Sequence, residues 1–436
     1  MPSEFPDEAE TAARRFGRGP LLGLLTAIYG LNYLDRQLVG LFAEPIKREL
    51  QISDSGLGLL AGVAFAIFYA SLGVPMARVA ERVGRRQVLS ASVFVFALAT
   101  TLSAAVGSFW QLFAARLIVG VGEAGTTPSS LAIIADQYPP DRRAGAMAVF
   151  TAGALVGLLA GFVLTSQVAG RFGWRAGFLV AGLPGLALAV AAWRLLPPES
   201  LRDAAPRRPV GPVLLGLMRN RRFLWLALSG AMCLFTTSAI ASWMPAYFQR
   251  SHGAGLPLAG LTFGAGIGVL GAIVTVLSGR LADRLEEGRR GRSLLMVVGA
   301  QLLAILFFIL ALNAVSAGAF IALVLPGLGL GAVWQAPVLG QVQNLAQPSE
   351  RPTVTAAFML ITSLLGLALG PLAVGLLSDH FGHGSAEGLR TALAISLFAN
   401  VLAAGFLVAA RGHPDVPGAE PPGVGPRAKP ILGETS

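Results

Sequence analysis

The chain has 436 residues, of which 54% are hydrophobic and only 13% charged, and its mean hydropathy is +0.67. That balance lies outside the range of soluble globular proteins and marks an integral membrane protein. A net charge of +10 would suit a nucleic-acid binder, but the basic residues fall in short stretches between apolar runs, where the rule that holds Lys and Arg on the cytoplasmic side accounts for them. Nucleic acid is therefore not expected as a partner. A single cysteine, Cys233, leaves no intrachain disulfide.

Residues 1–20 are polar and contain no short apolar core ahead of a small-residue cleavage site, so they read as a cytoplasmic tail rather than a cleaved signal. Twelve apolar runs follow, each near the roughly 20 residues that a membrane-crossing helix needs: 21–43, 56–78, 87–108, 110–134, 144–167, 176–196, 223–247, 257–280, 293–313, 317–340, 353–377 and 388–410. The fold class is thus all-α and membrane-spanning. A six-helix bundle over 21–196 and another over 223–410 flank a Pro- and Arg-rich linker, 197–222, and residues 411–436 form a second cytoplasmic tail. Placing the N-terminus inside puts 25 of the 33 Lys and Arg residues on one side and six on the other, which predicts both termini in the cytoplasm. A multi-pass monomer in a cell membrane of the bacterial inner-membrane type, with membrane lipids around it, is the accompanying expectation.

Within the fifth run Gly153, Gly157 and Gly161 recur every four residues, a small-residue stripe that serves either tight helix packing or motion. Prolines inside runs (Pro75, Pro128, Pro184, Pro245, Pro326, Pro337, Pro371) predict kinks or breaks.

After the second run comes "ARVAERVGRRQ" and after the eighth "GRLADRLEEGRRGR". Both set an acid beside an arginine at matching points of the two halves, an internal repeat. Glu81, Arg82, Arg85, Arg86, Asp283 and Arg284 are candidates for a cytoplasmic latch, the acid accepting bonds from a neighbouring helix N-terminus and the arginines reaching helix ends.

These stretches resemble the major facilitator superfamily, whose signature after the second helix reads Gly, three residues, Asp, Arg, one residue, Gly, Arg, Arg. The first copy has Ala77 and Glu81 in place of Gly and Asp; the second keeps Gly279, Asp283 and Arg284 but carries extra residues before Gly288. "RLIVGVGEAG" and "RFGWRAGF" resemble further superfamily motifs, while Leu158 stands where many drug exporters carry a proline. "NYLDRQ" together with "RLIVGVGEAGTTPSSLAIIADQYP" resembles the Spinster branch. The resemblance implies two pseudo-symmetric bundles, alternating access, first and fourth helices lining a central cavity, and an amphipathic solute of the lysophospholipid or sphingosine-phosphate type.

Four ionisable residues lie inside the runs: Asp35, Arg36, Arg116 and Glu123. Charge at bilayer depth is expensive, so such residues face an interior and carry function by default. Arg116 and Glu123, seven apart, share a helix face but stand about 10 Å apart along its axis, so each needs a partner on another helix. Asp35 and Glu123 are the candidate proton-coupling groups, against the alternative of a static ion-pair network. Arg36, Arg116, Asn32 and Thr127 are candidates for substrate binding or gating, joined from the second half by Phe235, Trp334, Gln335 and Gln341; Trp243 and Tyr247 read as interface-belt residues. No phosphate-binding loop is present, and His252, His380, His383 and His413 have no metal-site grouping. Neither a cofactor nor a metal is expected. The function expected is proton-coupled secondary transport, with a drug or organic-anion carrier as the alternative and a membrane enzyme or channel as the different-class one.

Overall fold

The computed structural model describes residues 17–196, 210–288, 291–347 and 350–412. Most of both expected tails, residues 197–209 of the linker, and His413 lie outside the described residues. Among the described residues the chain is helical, without strands.

Eleven helical stretches are long and apolar enough to cross a membrane. The first span, Arg18–Leu41, is the twelfth: at 24 residues it extends about 36 Å, although Asn32, Asp35 and Arg36 dilute its apolarity. In order, span 2 is Asp54–Ala61 and Val63–Val83; span 3, Arg85–Leu102; span 4, Phe109–Ala124 and Thr126–Gln137; span 5, Pro140–Phe172; span 6, Trp174–Leu195. Span 7 is Arg221–His252; span 8 runs from Leu256 to Gly288; span 9 is Arg292–Leu312; span 10, Ala317–Gly331 and Gln335–Gln343; span 11 runs from Arg351 to Gly382; span 12, Ala386–Ser396 and Phe398–Arg411. Where helices outrun the apolar segments, as at the end of span 8, the added turns are polar ("ADRLEEG") and invisible to a criterion of apolarity. The linker also holds a helix, Val210–Arg219.

Several spans are discontinuous. Span 2 breaks at Gly62, span 4 at Gly125 and span 10 between Gly331 and Gln335, while spans 8 and 11 carry π-helical turns at Gly264–Leu270 and Ser363–Leu367. Pro128 and Pro337 fall in the first turn after a break, where a missing N–H forfeits no helical bond. Pro75, Pro184, Pro245 and Pro326 lie inside continuous helices.

The glycine stripe of span 5 is a packing seam. Gly153 lies against the Thr26 backbone, Gly157 against Gly30 and Gly161 against the Leu34 side chain, so spans 1 and 5 touch backbone to backbone. A Cβ on Gly30 would stand 2.8 Å from the Gly153 carbonyl oxygen and 3.2 Å from the Gly157 Cα.

The apolar cores divide the molecule along its length. Taking the end that carries the Arg78–Arg86 turn as the basic end, one large cluster at the far end unites both halves, joining Phe42, Phe162 and Phe178 to Trp243, Phe248 and Phe263. Toward the basic end the core splits in two. One cluster, around Phe65, Phe96 and Phe150, belongs to the first half apart from Ala368; the other, around Phe223, Trp334 and Phe358, belongs to the second. The halves are fused at the far end and separate at the basic end.

Gly157→Val is expected to destabilise the protein by about 1–3 kcal/mol through overpacking, whereas Gly405→Val, at a glycine with no neighbour within 4 Å, is expected to leave the thermal midpoint in detergent unchanged. Equal midpoints for the two variants would contradict the seam.

Candidate functional site

Spans 1 and 4 bring all four intramembrane charges together as two crossed pairs. Arg116 Nη1 donates to Asp35 Oδ2 at 2.6 Å, and Arg36 Nε to Glu123 Oε2 at 2.8 Å. Each pair takes one member from each helix. Asp35 also accepts from Thr100 Oγ1 of span 3 at 2.5 Å. Pairing and hydrogen bonding are what make such burial tolerable.

The two pairs differ in their surroundings. Arg116 and Asp35 are sealed, with side chains 1% and 3% exposed, whereas Arg36 is 12% exposed opposite a fully buried Glu123. The Arg36 guanidinium lies over the rings of Tyr69, Tyr33 and Phe65, 4.2, 5.0 and 5.1 Å from their centroids. These contacts hold a cation without neutralising it. Both pairs leave guanidinium nitrogens unbonded, Nη2 on Arg36 and Nε and Nη2 on Arg116, but only Glu123 leaves a carboxylate oxygen, Oε1, without a hydrogen bond within the protein and so with capacity for a proton. Adjacent residues Asp35 and Arg36 point into different environments, as an angular step of about 100° requires.

The other predicted residues take varied positions. Asn32 is buried and donates to Thr126 Oγ1 at 2.5 Å; the Thr127 hydroxyl, one residue on, is buried and unbonded. In the second half Phe235 is half-buried and packs its backbone against Gly366 and Gly370, Trp334 belongs to the basic-end core, and Gln335 is exposed. Gln341 accepts from Arg222 at 2.9 Å and fastens the start of span 7. Trp243 and Tyr247 are core residues rather than belt residues: 1% and 4% exposed, they donate to the carbonyls of Pro371 and Leu312 at 2.8 and 2.6 Å. Their polar tips find backbone acceptors at helix junctions inside the protein, so neither needs the membrane interface.

At the basic end Arg85 bonds Asp136 and the Ala132 carbonyl of span 4, and Arg86 covers the Trp193 ring of span 6 at 4.9 Å. These contacts lie within the first half. Glu81 is half-buried; Arg82, Asp283 and Arg284 are exposed. The carboxylate that meets a helix N-terminus in the second copy is Glu286, accepting from the Gly291 and Ser293 N–H groups at 2.9 and 3.2 Å. The residues inserted before Gly288 move that role one turn past Asp283.

The sequence reading missed the ion cluster at the far end, of which only Lys47 and Arg250 entered the count of basic residues. Asp54, fully buried at the start of span 2, accepts from Arg250 Nη1 and Nη2 at 2.6 and 2.7 Å, from Lys47 at 2.6 Å and from Ser378 at 2.7 Å. Arg250 also bonds Glu44. In return Asp379 of span 11 accepts from the Asp54 and Ser55 N–H groups at 3.1 and 2.7 Å, capping a helix of the other half. The available signal was Arg250, a lone arginine at the end of span 7, facing acids placed beside Lys47. Outside the spans, bonds from the Trp174 indole and Arg175 hold the Glu49 carboxyl below its usual range and tie the first loop to span 6.

Comparison with known proteins gives a consistent set of likenesses. Residues 25–371 match the family described as Major Facilitator Superfamily. An MFS-type efflux pump of Mycolicibacterium smegmatis is 32% identical over 364 residues, 82% of this chain and 84% of its own. Protein spinster homolog 1 of Xenopus tropicalis is 29% identical, covering 87% of this chain and 78% of its own, and the sphingosine-1-phosphate transporter SPNS2 of Danio rerio is 26% identical, covering 83% and 77%. A crystal structure of a bacterial homolog to the human lysosomal transporter Spinster, inward-facing and unoccupied, superposes with a TM-score of 0.82 at 26% identity, covering 90% of this chain and 97% of that one.

The far-end cluster is expected to hold the two halves shut. With Cys233→Ser as background, Ser242→Cys places a thiol at the seam where Ser242 meets Gly40. Adding Asp54→Asn is expected to raise its maleimide labelling about tenfold, since removing one partner of a buried ion pair costs about 3–5 kcal/mol. Unchanged labelling would show that the cluster does not hold the seam.

Proposed function

The chain belongs to the major facilitator superfamily, and from that premise we propose that it is a proton-coupled carrier of an amphipathic, lipid-like solute. In this reading it works as a monomer in the cell membrane, with the basic end and both termini in the cytoplasm, and the structure corresponds to an inward-open state. The observation that carries the proposal is the incompletely satisfied Arg36–Glu123 pair between spans 1 and 4.

The chemistry follows from competition for one guanidinium. While Glu123 is ionised, Arg36 is neutralised by it. A proton on Glu123 removes that counter-charge and leaves Arg36 to an anionic group such as a phosphate. A phosphate that engages Arg36 first makes protonation of Glu123 easier by the same free energy, since linkage is reciprocal. Proton and solute then load together, and the aromatic rings of Tyr33, Tyr69 and Phe65 offer apolar surface beside the head-group position. Asp35, sealed against Arg116 and Thr100, serves in this scheme as the second proton-responsive group and sets the field around Arg36. Thr127 lies beside the path, and Arg116 stays with Asp35 as a gating pair.

The likeness to SPNS2 and to the spinster homologs supports a lysophospholipid or sphingosine-phosphate type of solute. The likeness to an MFS-type efflux pump supports a second reading, export of drugs or organic anions through the same proton-coupled site.

Proteoliposomes with and without an imposed pH gradient separate these. Uptake of a fluorescent lysophospholipid by the native chain is expected to depend on the gradient, and Glu123→Gln, which fixes the neutral state, is expected to abolish that dependence while retaining downhill exchange. Gradient-dependent flux unchanged in Glu123→Gln would overturn proton coupling at this residue. Flux no greater than in empty liposomes, with flux of an organic anion present, would favour the second reading.

A further inference from the structure

Span 4 is interrupted beside its key carboxylate. Its first helix ends at Ala124 and its second begins at Thr126, with Gly125 between them. A break in a membrane-crossing helix leaves backbone groups that need partners, and it lets the two segments swing relative to one another. Glu123 lies one residue before the first segment ends. Whatever fixes the break therefore also fixes where Glu123 points.

Span 1 holds this break at two points. Arg36 takes the Glu123 carboxylate above it, and Asn32, one helical turn away on the same face, donates to Thr126 Oγ1 at 2.5 Å below it. The Thr126 hydroxyl passes the restraint across Gly125 by donating to the Glu123 backbone carbonyl at 2.8 Å. Asn32 and Thr126 are fully enclosed, 0% and 1% exposed, so neither is placed to meet a solute directly. On the opposite side the Ser92 side chain of span 3 sits against Gly125, where a Cβ would collide with it. The break is enclosed on both sides, and the amide–hydroxyl–carbonyl chain is its polar connection to span 1.

We propose that Asn32 and Thr126 are positioning residues for the coupling step: they clamp the break in span 4 so that Glu123 stays on Arg36, and thereby set how readily Glu123 takes a proton. The inference rests on the proton-coupled reading. Asn32 moves from the predicted solute contacts to a structural role in coupling, and Thr126 joins it. The charged and titratable groups around Glu123 are Arg36, Asp35, Tyr29 and Tyr33 from span 1, Tyr69 from span 2 and Arg116 from span 4. None of them is altered when the clamp is removed, so any change at Glu123 reports its position.

A hydrophobic carbodiimide reacts with protonated carboxyls in apolar surroundings, and peptide mass spectrometry separates Glu123 from Asp35. The test is the pH profile of Glu123 modification in the full-length protein in nanodiscs, for the native chain, Thr126→Val, Thr126→Ser and Asn32→Leu. Thr126→Val keeps the shape and removes the hydroxyl; Thr126→Ser keeps the hydroxyl. With the clamp lost, Glu123 drifts from Arg36 and its charged form loses support. The expected result is about threefold faster modification at neutral pH, half a pH unit in the profile, for Thr126→Val and Asn32→Leu, with Thr126→Ser like the native chain. The same variants are expected to shift the pH profile of lysophospholipid uptake in the same direction, while Thr165→Val, which deletes another buried hydroxyl bond, shifts neither. Native profiles in both clamp variants would overturn the inference and leave the proposed function standing. A Glu123 that is never modified in the native chain would overturn its proton role, and the clamp with it. If Asn32→Leu does not fold, Thr126→Val against Thr126→Ser decides alone.

Discussion

Burying charge in a membrane is the constraint on which this molecule is organised. A guanidinium or carboxylate removed from water must be paired and hydrogen-bonded or it neutralises. Spans 1 and 4 solve the problem jointly: neither could bury its own acid and base, because neighbours on a helix diverge and residues seven apart are too distant. Crossing the pairs ties spans 1 and 4 to each other at two points. It also makes each helix's charge state depend on the other's position. The Asp35–Arg116 pair is deeply buried and both Asp35 oxygens are bonded, one by Arg116 and one by Thr100, while Arg116 Nε and Nη2 stay unbonded. The Arg36–Glu123 pair differs in leaving a carboxylate oxygen, Glu123 Oε1, unbonded and in having the more exposed arginine, which makes it the pair placed to exchange partners.

The same physics recurs at the far end with the opposite outcome. There Asp54, Arg250, Lys47, Glu44, Ser378 and Asp379 satisfy one another across the two halves, and a single apolar core continues underneath. Toward the basic end each half has its own core and its own polar ties. One end is therefore committed to contact between the halves while the other is divided, which is the arrangement alternating access requires of a single state. On the proposed reading, the coupling pair sits between the two, in the half that contributes both of its helices.

Much of this was legible in the residues. Apolar length and the repeated acid–arginine turn gave twelve spans in two halves, and the rarity of charge inside the spans singled out the four residues that the structure joins. Helical geometry excluded a direct Arg116–Glu123 pair and so called for partners on another helix, but which acid takes which base was not legible. What stayed hidden depends on contacts between distant segments. Arg250 and Asp54 are 196 positions apart, and a lone arginine at a span end does not say which acid it meets. The break at Gly125 looks in sequence like one more glycine before a proline, although the prolines within continuous helices break nothing. Trp243 and Tyr247 illustrate the converse error: aromatic residues near a span end resemble interface anchors until their acceptors, the carbonyls of Pro371 and Leu312, are seen inside the protein. Glu286 displaced Asp283 as the helix-capping acid for a similarly local reason, a turn lengthened by a few residues.

The central claim is that Arg36 and Glu123 act as one unit, and a double-mutant cycle on gradient-driven uptake measures that most directly. Arg36→Gln and Glu123→Gln each leave a buried or half-buried group without its partner, whereas the double variant leaves two neutral amides that can bond each other. If Arg36 and Glu123 act as one unit, the double variant loses no more gradient-driven uptake than the worse single variant, and is more stable than either. Losses that simply multiply, with independent effects on stability, would show two unrelated residues and contradict that claim.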